Sequence, residues 1–434
     1  KKVNFFTRQF IDALAPSNFA ATNPEFIKIA LETKGESITA GIRNLIADIE
    51  KGRISMTDDA AFEVGRNLAV TPGAVVFEND LMQLIQYVPT TEKVAQVPLV
   101  IVPPCINKFY ILDLQPENSF VRYAVAQGIT VFMVSWRNPK ADFGHLTWDD
   151  YLEQGALKAL AVASNICGVK QVNALGFCVG GTLLTSALAV ARARDEDPVA
   201  SLTLLTTLLD FSDPGELGYF IDEAAVAARE TSIGKGGLMM GSELAAVFSS
   251  LRANDLIWQY VVANYLKGRT PAAFDLLFWN SDRTNLPGPF AAWYLRNLYL
   301  NNSLRVPNKL KMCGTKVDLR RVDMPAFLLA SREDHIVSWQ AAYLSRGLLG
   351  GNTTFTMGAS GHIAGVINPP EKNKRSYWTS AGASSNVDAG DWLAGASEHP
   401  GSWWPHWVEW LADFGGKQRK ARVRLGNVTY KPGE

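Results

Sequence analysis

The chain has 434 residues, of which 47% are hydrophobic, and this is enough for a sizeable core with one or two appended parts. Its 42 basic and 42 acidic residues cancel at pH 7, so no overall charge steers the protein toward nucleic acid or acidic lipid. No uninterrupted apolar stretch approaches the ~18 residues that a membrane-spanning helix needs, so neither secretion nor membrane insertion is indicated.

The pattern before about residue 70 predicts helices. Phe6, Phe10, Ile11 and Leu14 share one helical face, and apolar residues recur at similar spacing over residues 36–51. We therefore predict a helical N-terminal extension over residues 1–70. Because the first residue is a lysine rather than Met, we expect the natural protein to begin further upstream.

Residues 71–209 are predicted to form the first part of an α/β core. The runs AVVFE and LMQLIQYV predict a hairpin over residues 74–88. Apolar strands then alternate with amphipathic helices, which indicates a parallel sheet covered on both faces and functional residues at the carboxyl ends of its strands. The strands are predicted at 98–102, 129–136, 172–177 and 202–209, and the helices near 116–127, 148–166 and 181–193.

The strand rhythm stops after Asp210, and residues 210–322 are predicted to form an inserted helical cap, or lid. This stretch is unusually aromatic. We expect most of its aromatic side chains to fill the core of the insertion and a few to line an entrance. The rhythm returns with AFLLAS at 326–331 and TTFTM at 353–357, so residues 323–434 are predicted to complete the core and to add a Trp-rich tail.

The four cysteines are widely spaced and form neither a CxxC pair nor a Cys/His cluster of metal-ligand spacing. We therefore predict no disulfide framework, no metal site and a reducing cytoplasm. Cys167 and Cys313 are expected to be ordinary buried residues. The surroundings of Cys178 indicate a different role.

Cys178 is central to the segment Gly176-Phe177-Cys178-Val179-Gly180-Gly181, between a predicted strand and a predicted helix. This is the context of the nucleophile elbow of the α/β-hydrolase fold, in which a strained turn exposes the nucleophile and small residues two positions away allow strand and helix to approach. The partial positive charge of the helix amino terminus favours a thiolate. Cys178 is therefore predicted to be a nucleophile.

A nucleophile at this position calls for an acid after a later strand and a histidine after the last one. Of five histidines, only His362 lies in the loop after the final predicted strand, and it is predicted to be the general base. Glu333 and Asp334 follow the strand before it, and either can reach an imidazole; we choose Asp334. His335 remains a second candidate for the base.

When a cysteine attacks an acyl group such as a thioester, the carbonyl oxygen of that group gains negative charge and needs hydrogen-bond donors. One is predicted to be the backbone N–H of Val179, and the other to come from the loop Pro104-Cys105-Ile106-Asn107, with Asn107 as its candidate. Cys105 is expected near the pocket, where packing is the favoured role over assistance to catalysis. No glycine-rich phosphate loop occurs, so we predict no cofactor. Cysteine instead of serine favours a transferase, because an acyl-cysteine is itself a thioester.

Four segments resemble the polyhydroxyalkanoate synthases of the single-polypeptide, short-chain class I: LGFCVGGT at 175–182, PPCINKFYILDL at 103–114, SREDHIVSW at 331–339 and GASGHIAGVINPP at 358–370. The resemblance runs from about residue 70 to 412. It implies that the family's nucleophile corresponds to Cys178, its aspartate to Asp334 and its general base to His362.

The resemblance further implies polymerisation of 3-hydroxyacyl-CoA, most of all 3-hydroxybutyryl-CoA, with release of coenzyme A. Asp334 then either orients His362 or helps to deprotonate the attacking hydroxyl. Family members act as homodimers with a mobile cap, at the surface of cytoplasmic polyester granules, where other granule proteins are possible partners. Nucleic acid is not an expected partner.

Two other functions remain open at this point. A thioesterase or dienelactone-hydrolase-like enzyme can be built from the same three residues, and water access distinguishes it from a transferase. A granule-coating or lipid-binding protein that only retains the fold is the second alternative, although an intact elbow, acid and base argue against it.

Overall fold

The computed structural model of the protein describes residues 2–380, 387–422 and 424–433. The strands are β1 (Gly73–Glu78), β2 (Met82–Tyr87), β3 (Lys93–Ala95), β4 (Leu99–Val102), β5 (Val131–Trp136), β6 (Val172–Phe177), β7 (Val199–Leu205), β8 (Leu238–Met239), β9 (Leu286–Pro287), β10 (Lys311–Met312), β11 (Thr315–Lys316), β12 (Ala326–Ser331), β13 (Thr353–Gly358), β14 (Ser376–Thr379), β15 (Ser397–Pro400) and β16 (Gln418–Lys420). The α-helices are α1 (Lys2–Ala13), α2 (Pro24–Glu32), α3 (Glu36–Lys51), α4 (Phe120–Ala126), α5 (Trp148–Asp150), α6 (Lys158–Cys167), α7 (Val179–Ala193), α8 (Glu223–Ile233), α9 (Gly241–Leu251), α10 (Asp275–Ser281), α11 (Gly288–Tyr294), α12 (Trp339–Leu344), α13 (Ala389–Ala394) and α14 (Trp404–Ala412). Helical turns of the π type are Tyr151–Leu157, Asn254–Trp258, Val261–Leu266 and Leu295–Leu300, and 3₁₀ turns are Pro16–Asn18, Asp59–Ala61, Phe109–Leu112, Pro116–Asn118, Ala141–Phe143, Gly215–Phe220, Ser303–Arg305, Leu319–Arg321, Ser345–Leu348 and Pro370–Lys372. Over these described ranges, no helix combines the length and the apolar character that crossing a membrane requires.

The chain divides into two compact units. The smaller unit consists of Lys1–Ala69 and Met240–Arg283, and the larger consists of Val70–Met239 and Thr284–Glu434. Residues of the predicted cap, 210–322, therefore occur in both units. The four-part division of the sequence stays a prediction.

The N-terminal helices of the smaller unit have much of their apolar surface exposed. In α1, the buried residue is Phe5, whereas Phe10 and Ile11 of the predicted common face are exposed. In α3, which spans the predicted residues, the buried side is small and polar and includes Gly41 and Asp48. Helical periodicity thus predicted these helices correctly, but not which side of each helix would be buried.

The larger unit contains a ten-stranded sheet in the order β1-β2-β5-β4-β6-β7-β12-β13-β14-β15. The six strands from β5 to β13 in this order pair in parallel, and the predicted hairpin β1–β2 adds an antiparallel edge. The central strands β4, β6 and β12 are buried along their whole length, as expected for a sheet covered on both faces. The predicted α/β-hydrolase architecture with a predominantly parallel sheet is confirmed.

Two strand predictions were wrong in detail. The strand predicted at 202–209 is β7, and it ends at Leu205 because Thr206 has a φ of 41°, which takes the chain out of the extended conformation. The strand β13 is the last parallel strand but not the last of the sheet, since β14 and β15 follow it in antiparallel pairing. These two strands are short and rich in polar residues, so their pattern was not recognised.

The Trp-rich tail holds the chain that follows β13. The indole N–H groups of Trp403 and Trp404 donate to the backbone oxygens of Gly365 and Val366, at 3.0 and 2.9 Å. Both indoles are buried and pack against Phe120 of α4. The buried tail therefore fixes the loop that carries His362 through these two hydrogen bonds.

Candidate active site

Cys178 lies at a sharp turn between β6 and α7 and has a φ of 53° and a ψ of −127°. A non-glycine residue rarely adopts a positive φ, and such strain persists only where the surroundings impose it. Here the backbone N–H of Cys178 donates to Leu205 at 2.9 Å, and its carbonyl accepts a hydrogen bond from the Thr207 hydroxyl at 3.3 Å. The end of β7 thus holds the strained residue from both sides.

Three glycines make this turn possible. A Cβ atom on Gly176 would lie 2.4 Å from the Cα of Gly181, and one on Gly180 would lie 2.3 Å from the carbonyl oxygen of Val102. A Cβ on Gly181 itself would lie 2.1 Å from the Thr207 hydroxyl oxygen. Strand, helix and the loop after β4 therefore approach as closely as the elbow prediction required of Gly176 and Gly180, and Gly181 is a third such position.

The side chains of His362 and Asp334 are in direct contact. His362 Nδ1 lies 2.6 Å from Asp334 Oδ2, and the exposed fractions of the two side chains are 5% and 0%. Asp334 Oδ1 accepts the backbone N–H groups of Ile336 and Val337 at 2.8 and 2.9 Å. Both carboxylate oxygens are thereby occupied, which fixes the carboxylate and, through it, the imidazole.

Cys178 interacts with this pair of side chains through His362. Burial by itself lowers the pKa of His362, but the charges of Asp334 and Cys178 and hydrogen bonds to both side chains raise it to about 10. Because Nδ1 is engaged with Asp334, Nε2 is the nitrogen available to the sulfur. The raised pKa favours the imidazolium form of His362, which holds a transferable proton.

The geometry distinguishes between the candidates that the sequence left open. The carboxylate that contacts an imidazole is that of Asp334, whereas Glu333 is exposed and its backbone N–H donates to Ser360 at 2.9 Å. The imidazole in contact with Asp334 is that of His362. The catalytic roles of Cys178, Asp334 and His362 stay predictions that this arrangement supports.

The candidate oxyanion donors lie around the elbow. Val179 is the first residue of α7, and its N–H belongs to the helical turn that has no intrahelical acceptor. The loop after β4 passes against the same helix end, where the carbonyl oxygens of Val102 and Pro103 face Gly180. Asn107 is half-buried farther along this loop. Its role as a donor stays a prediction.

Cys105 is buried close to Cys178. Burial raises the pKa of its thiol, and the charge of Cys178 adds to this rise. A thiol of this kind stays protonated, which agrees with a packing role better than with a second nucleophile.

Two tyrosines that sequence reasoning did not assign to the site also lie near Cys178. Burial raises the pKa of Tyr294 and Tyr299, and the charge of Cys178 adds to the rise in both. Their rings are 5.2 Å apart, and both contact Phe211. The aromatic richness of residues 210–322 was visible in the sequence, but no spacing rule indicated which rings would face the elbow.

No cluster suited to hold a metal ion was found in the part of the chain that the structure describes, where groups of three or more His, Cys, Asp or Glu were sought.

Two family models match the chain. Residues 1–124 match the N-terminus of poly-beta-hydroxybutyrate polymerase (PhaC), and residues 98–369 match the alpha/beta hydrolase fold. The poly(3-hydroxyalkanoate) polymerase subunit PhaC of Cupriavidus necator is 57% identical over 99% of this chain and 74% of its own length. The poly(3-hydroxyalkanoate) polymerase of Methylorubrum extorquens is 44% identical over 97% of this chain and 70% of its own length.

Solved structures with a similar chain path are more distant. A putative non-heme bromoperoxidase of Mycobacterium tuberculosis aligns with 67% of this chain and 92% of its own, at 13% identity and a TM-score of 0.42. A hydrolase of Pseudomonas aeruginosa aligns with 70% of this chain and 94% of its own, at 14% identity and a TM-score of 0.39. At these scores the likenesses carry no argument about chemistry.

Proposed function

The chain belongs to the poly(3-hydroxyalkanoate) polymerase family, and from this premise we propose that it polymerises 3-hydroxyacyl groups taken from coenzyme A thioesters. Cys178 carries the acyl group, His362 moves the proton, and Asp334 orients His362. The observation that carries the proposal is that a strained cysteine and a buried His–Asp pair lie close together at the carboxyl ends of the parallel strands.

In the first step, the Cys178 thiolate attacks the carbonyl carbon of the thioester. A bond forms between Cys178 Sγ and this carbon, and the bond between the carbon and the coenzyme A sulfur breaks. The leaving thiolate takes the proton that His362 holds, so free coenzyme A departs and an acyl-cysteine remains. The raised pKa of His362 supports the assignment of that proton to the imidazole in the resting state.

The tetrahedral intermediate of this step places a negative charge on the former carbonyl oxygen. The N–H of Val179 and a donor from the loop after β4, with Asn107 as its candidate, stabilise that charge. The N–H of Val179 is fixed before the substrate arrives, because the start of α7 packs against the end of β4 through Gly180. Preorganised donors need no rearrangement as the charge develops.

In the second step, the 3-hydroxyl of another acyl unit attacks the acyl-cysteine. His362, now neutral, accepts the hydroxyl proton, an ester bond forms, and the Cys178 thiolate is released. Asp334 is able to assist in either of two ways, by orienting His362 or by deprotonating the hydroxyl. The engagement of both its oxygens in hydrogen bonds supports the orienting role.

Cysteine suits this exchange because the acyl-enzyme and the substrate are both thioesters of similar free energy, so the acyl group is stored for transfer. The rings of Tyr294 and Tyr299 near Cys178, with Phe211 packed against both of them, support a short acyl group, with 3-hydroxybutyryl-CoA as the substrate. The reaction as written needs no cofactor, which stays a prediction. Homodimer formation and work at cytoplasmic granules remain parts of the proposal that the family resemblance supports.

The decisive experiment is incubation with 3-hydroxybutyryl-CoA. We expect release of coenzyme A, measured with a thiol reagent, and formation of insoluble polyester, measured by mass spectrometry after methanolysis. Cys178→Ala should abolish both, since it removes the nucleophile. Cys167→Ala, at a buried cysteine at the end of α6, is the matched control and should retain both activities.

Two results would contradict the proposal. Undiminished turnover by Cys178→Ala would refute the assignment of the nucleophile. Soluble 3-hydroxybutyrate as the sole product of the unaltered protein would make it a thioesterase, in which water rather than a hydroxyl reaches the acyl-cysteine.

A further inference from the structure

Phe177, the residue before the proposed nucleophile, packs on the imidazole of His362. The centroids of the two rings are 5.7 Å apart and their planes are at 24°, so the rings are stacked. Both side chains are buried, with exposed fractions of 0% and 5%. None of the proposed catalytic steps accounts for this contact.

The strained turn explains how two consecutive residues reach the same imidazole. In an extended strand, neighbouring side chains point to opposite faces of the sheet. Cys178 has a positive φ of 53°, which ends this alternation directly after Phe177, the last residue of β6. As a result, His362 is stacked on the Phe177 ring and also hydrogen-bonded to the Cys178 side chain.

The sheet holds Phe177 in place. Its strand, β6, lies in the middle of the sheet and pairs in parallel with β4 on one side and with β7 on the other. In this register Phe177 lies opposite Leu205, whose carbonyl oxygen also accepts the backbone N–H of Cys178 at 2.9 Å. A ring held in this way can restrict the movement of a group that packs on it.

The imidazole of His362 needs such a restriction. Asp334 holds its Nδ1 at 2.6 Å, but a single hydrogen bond at one side of a ring leaves the ring plane free to turn about that bond. A second ring stacked on one face opposes this rotation. Nε2, on the other side of the imidazole, is then kept directed at Cys178.

The stack also acts on the charge of the imidazole. The face of a phenyl ring is negative, so it attracts a cation placed over it. His362 is positively charged as long as it holds the proton for the leaving group, which the proposed first step requires. Because both rings are buried, water weakens this attraction little.

We propose that Phe177 is a positioning residue for the general base. Its ring keeps His362 in the plane that directs Nε2 at Cys178, and it favours the protonated form of the imidazole. The inference rests on the proposed function, which assigns the movement of the proton to His362. It adds that the elbow presents two consecutive side chains to this histidine, one that reacts and one that holds the base.

The first test measures the protonation of His362 without any turnover. Against the effect of burial, Asp334 and Cys178 raise the pKa of His362 to about 10. We expect Phe177→Leu to lower this pKa by at least about 0.5, because leucine keeps an apolar side chain but has no ring. The titration is followed by NMR of protein labelled at the histidine Cε1 atoms, and the His362 signal is identified by its absence in His362→Gln.

The second test distinguishes positioning from binding. With 3-hydroxybutyryl-CoA, kcat for coenzyme A release should fall about tenfold in Phe177→Leu while KM changes little, because the substrate still binds and the proton transfer alone is misaligned. Phe177→Tyr keeps the ring and should retain most of kcat and the pKa of His362. An unchanged pKa and an unchanged kcat in Phe177→Leu would overturn the inference.

Phe132→Leu is the matched control. Phe132 is as fully buried as Phe177, but it belongs to β5, which β4 separates from β6. Its replacement should lower the free energy of unfolding and leave both the pKa of His362 and kcat unchanged. Equal decreases in the two leucine variants would show that lost packing is the cause, and would reject the role of the stack. If Phe177→Leu does not fold, Phe177→Met carries the same expectation, since its flexible side chain fills irregular space.

Failure of the proposed function gives a different result. If the unaltered protein releases no coenzyme A from 3-hydroxybutyryl-CoA, the polymerase proposal fails, and the NMR comparison alone decides whether the Phe177 ring favours the protonated imidazole. If it releases coenzyme A but the pKa of His362 does not respond to Phe177→Leu, the polymerase proposal stands and the role of Phe177 is rejected.

Discussion

The helices α7 and α3 have nearly the same length, 15 and 16 residues, but they use their apolar side chains in opposite ways. Leu183, Leu184 and Leu188 of α7 are fully buried behind the elbow. In α3, Ile46 is 53% exposed, and the buried side contains Gly41 and Asp48. Asp48 accepts a hydrogen bond from the Tyr265 hydroxyl at 2.7 Å, so a polar contact helps to fix α3 in its unit.

The contrast shows that apolar content alone does not predict burial. The one charged side chain of α7 is Arg192, in its last turn, and glycines at the start of the helix allow a close approach to the sheet. Charges recur along α3, and its apolar stripe faces outward. Substitutions near the elbow should therefore have large effects, and equivalent substitutions on the outer side of α3 should have small ones.

The largest effect is expected from His362→Gln, which removes the proposed proton carrier at the elbow while keeping a polar side chain. The rate of coenzyme A release should fall more than ~10²-fold, because proton transfer is lost. His145→Gln, at an exposed histidine, is the control and should retain the rate. A decrease smaller than this would mean that His362 is not the general base.

The same variant has an expected signature in stability. The folded-state pKa of His362 is about 10 and its ordinary value 6.5, so protonated His362 stabilises the folded state fully below about pH 6.5. This contribution is lost as the pH rises toward 10. The free energy of unfolding, measured with denaturant, should therefore decrease over this range more in the unaltered protein than in His362→Gln. Identical pH profiles would contradict the stabilised imidazolium.

An intermediate effect is expected from Gly181→Ala. The new Cβ would lie 2.1 Å from the Thr207 hydroxyl oxygen, and overpacking of this kind destabilises by about 1–3 kcal/mol. Gly347→Ala is the control, because a Cβ there meets nothing within 4 Å. Equal free energies of unfolding for the two variants would show that the elbow is less tightly packed than its geometry indicates.

The smallest effect is expected from Ile46→Ala on the outer side of α3. Because more than half of this side chain is exposed, the free energy of unfolding should change by no more than about 0.5 kcal/mol. Leu184→Ala in α7 is the contrasting variant and should cost about 2–5 kcal/mol, since it leaves a cavity. A loss of similar size in both would remove the distinction between the two helices.

Much of the site could be predicted because its parts are local in sequence. A strand, a turn that needs small residues and a helix follow one another within residues 172–193, and the periodicity of strands β12 and β13 located the loops that carry Asp334 and His362. No physical reason in the sequence favoured Asp334 over its neighbour Glu333. The choice depended on which side chain the loop after β12 turns inward, where Asp334 Oδ1 meets two backbone amides.

The amino-acid order by itself determined the α/β-hydrolase architecture, the elbow at Cys178 and the family, because periodicity, glycine spacing and motif are properties of short segments. Tertiary structure alone decided which aromatic rings lie near Cys178, how the indoles of the tail hold the His362 loop, and which side of α3 is buried. The reason is physical: these features depend on packing between segments far apart in the chain, and packing is decided by shape and by paired polar groups rather than by hydrophobicity along one segment.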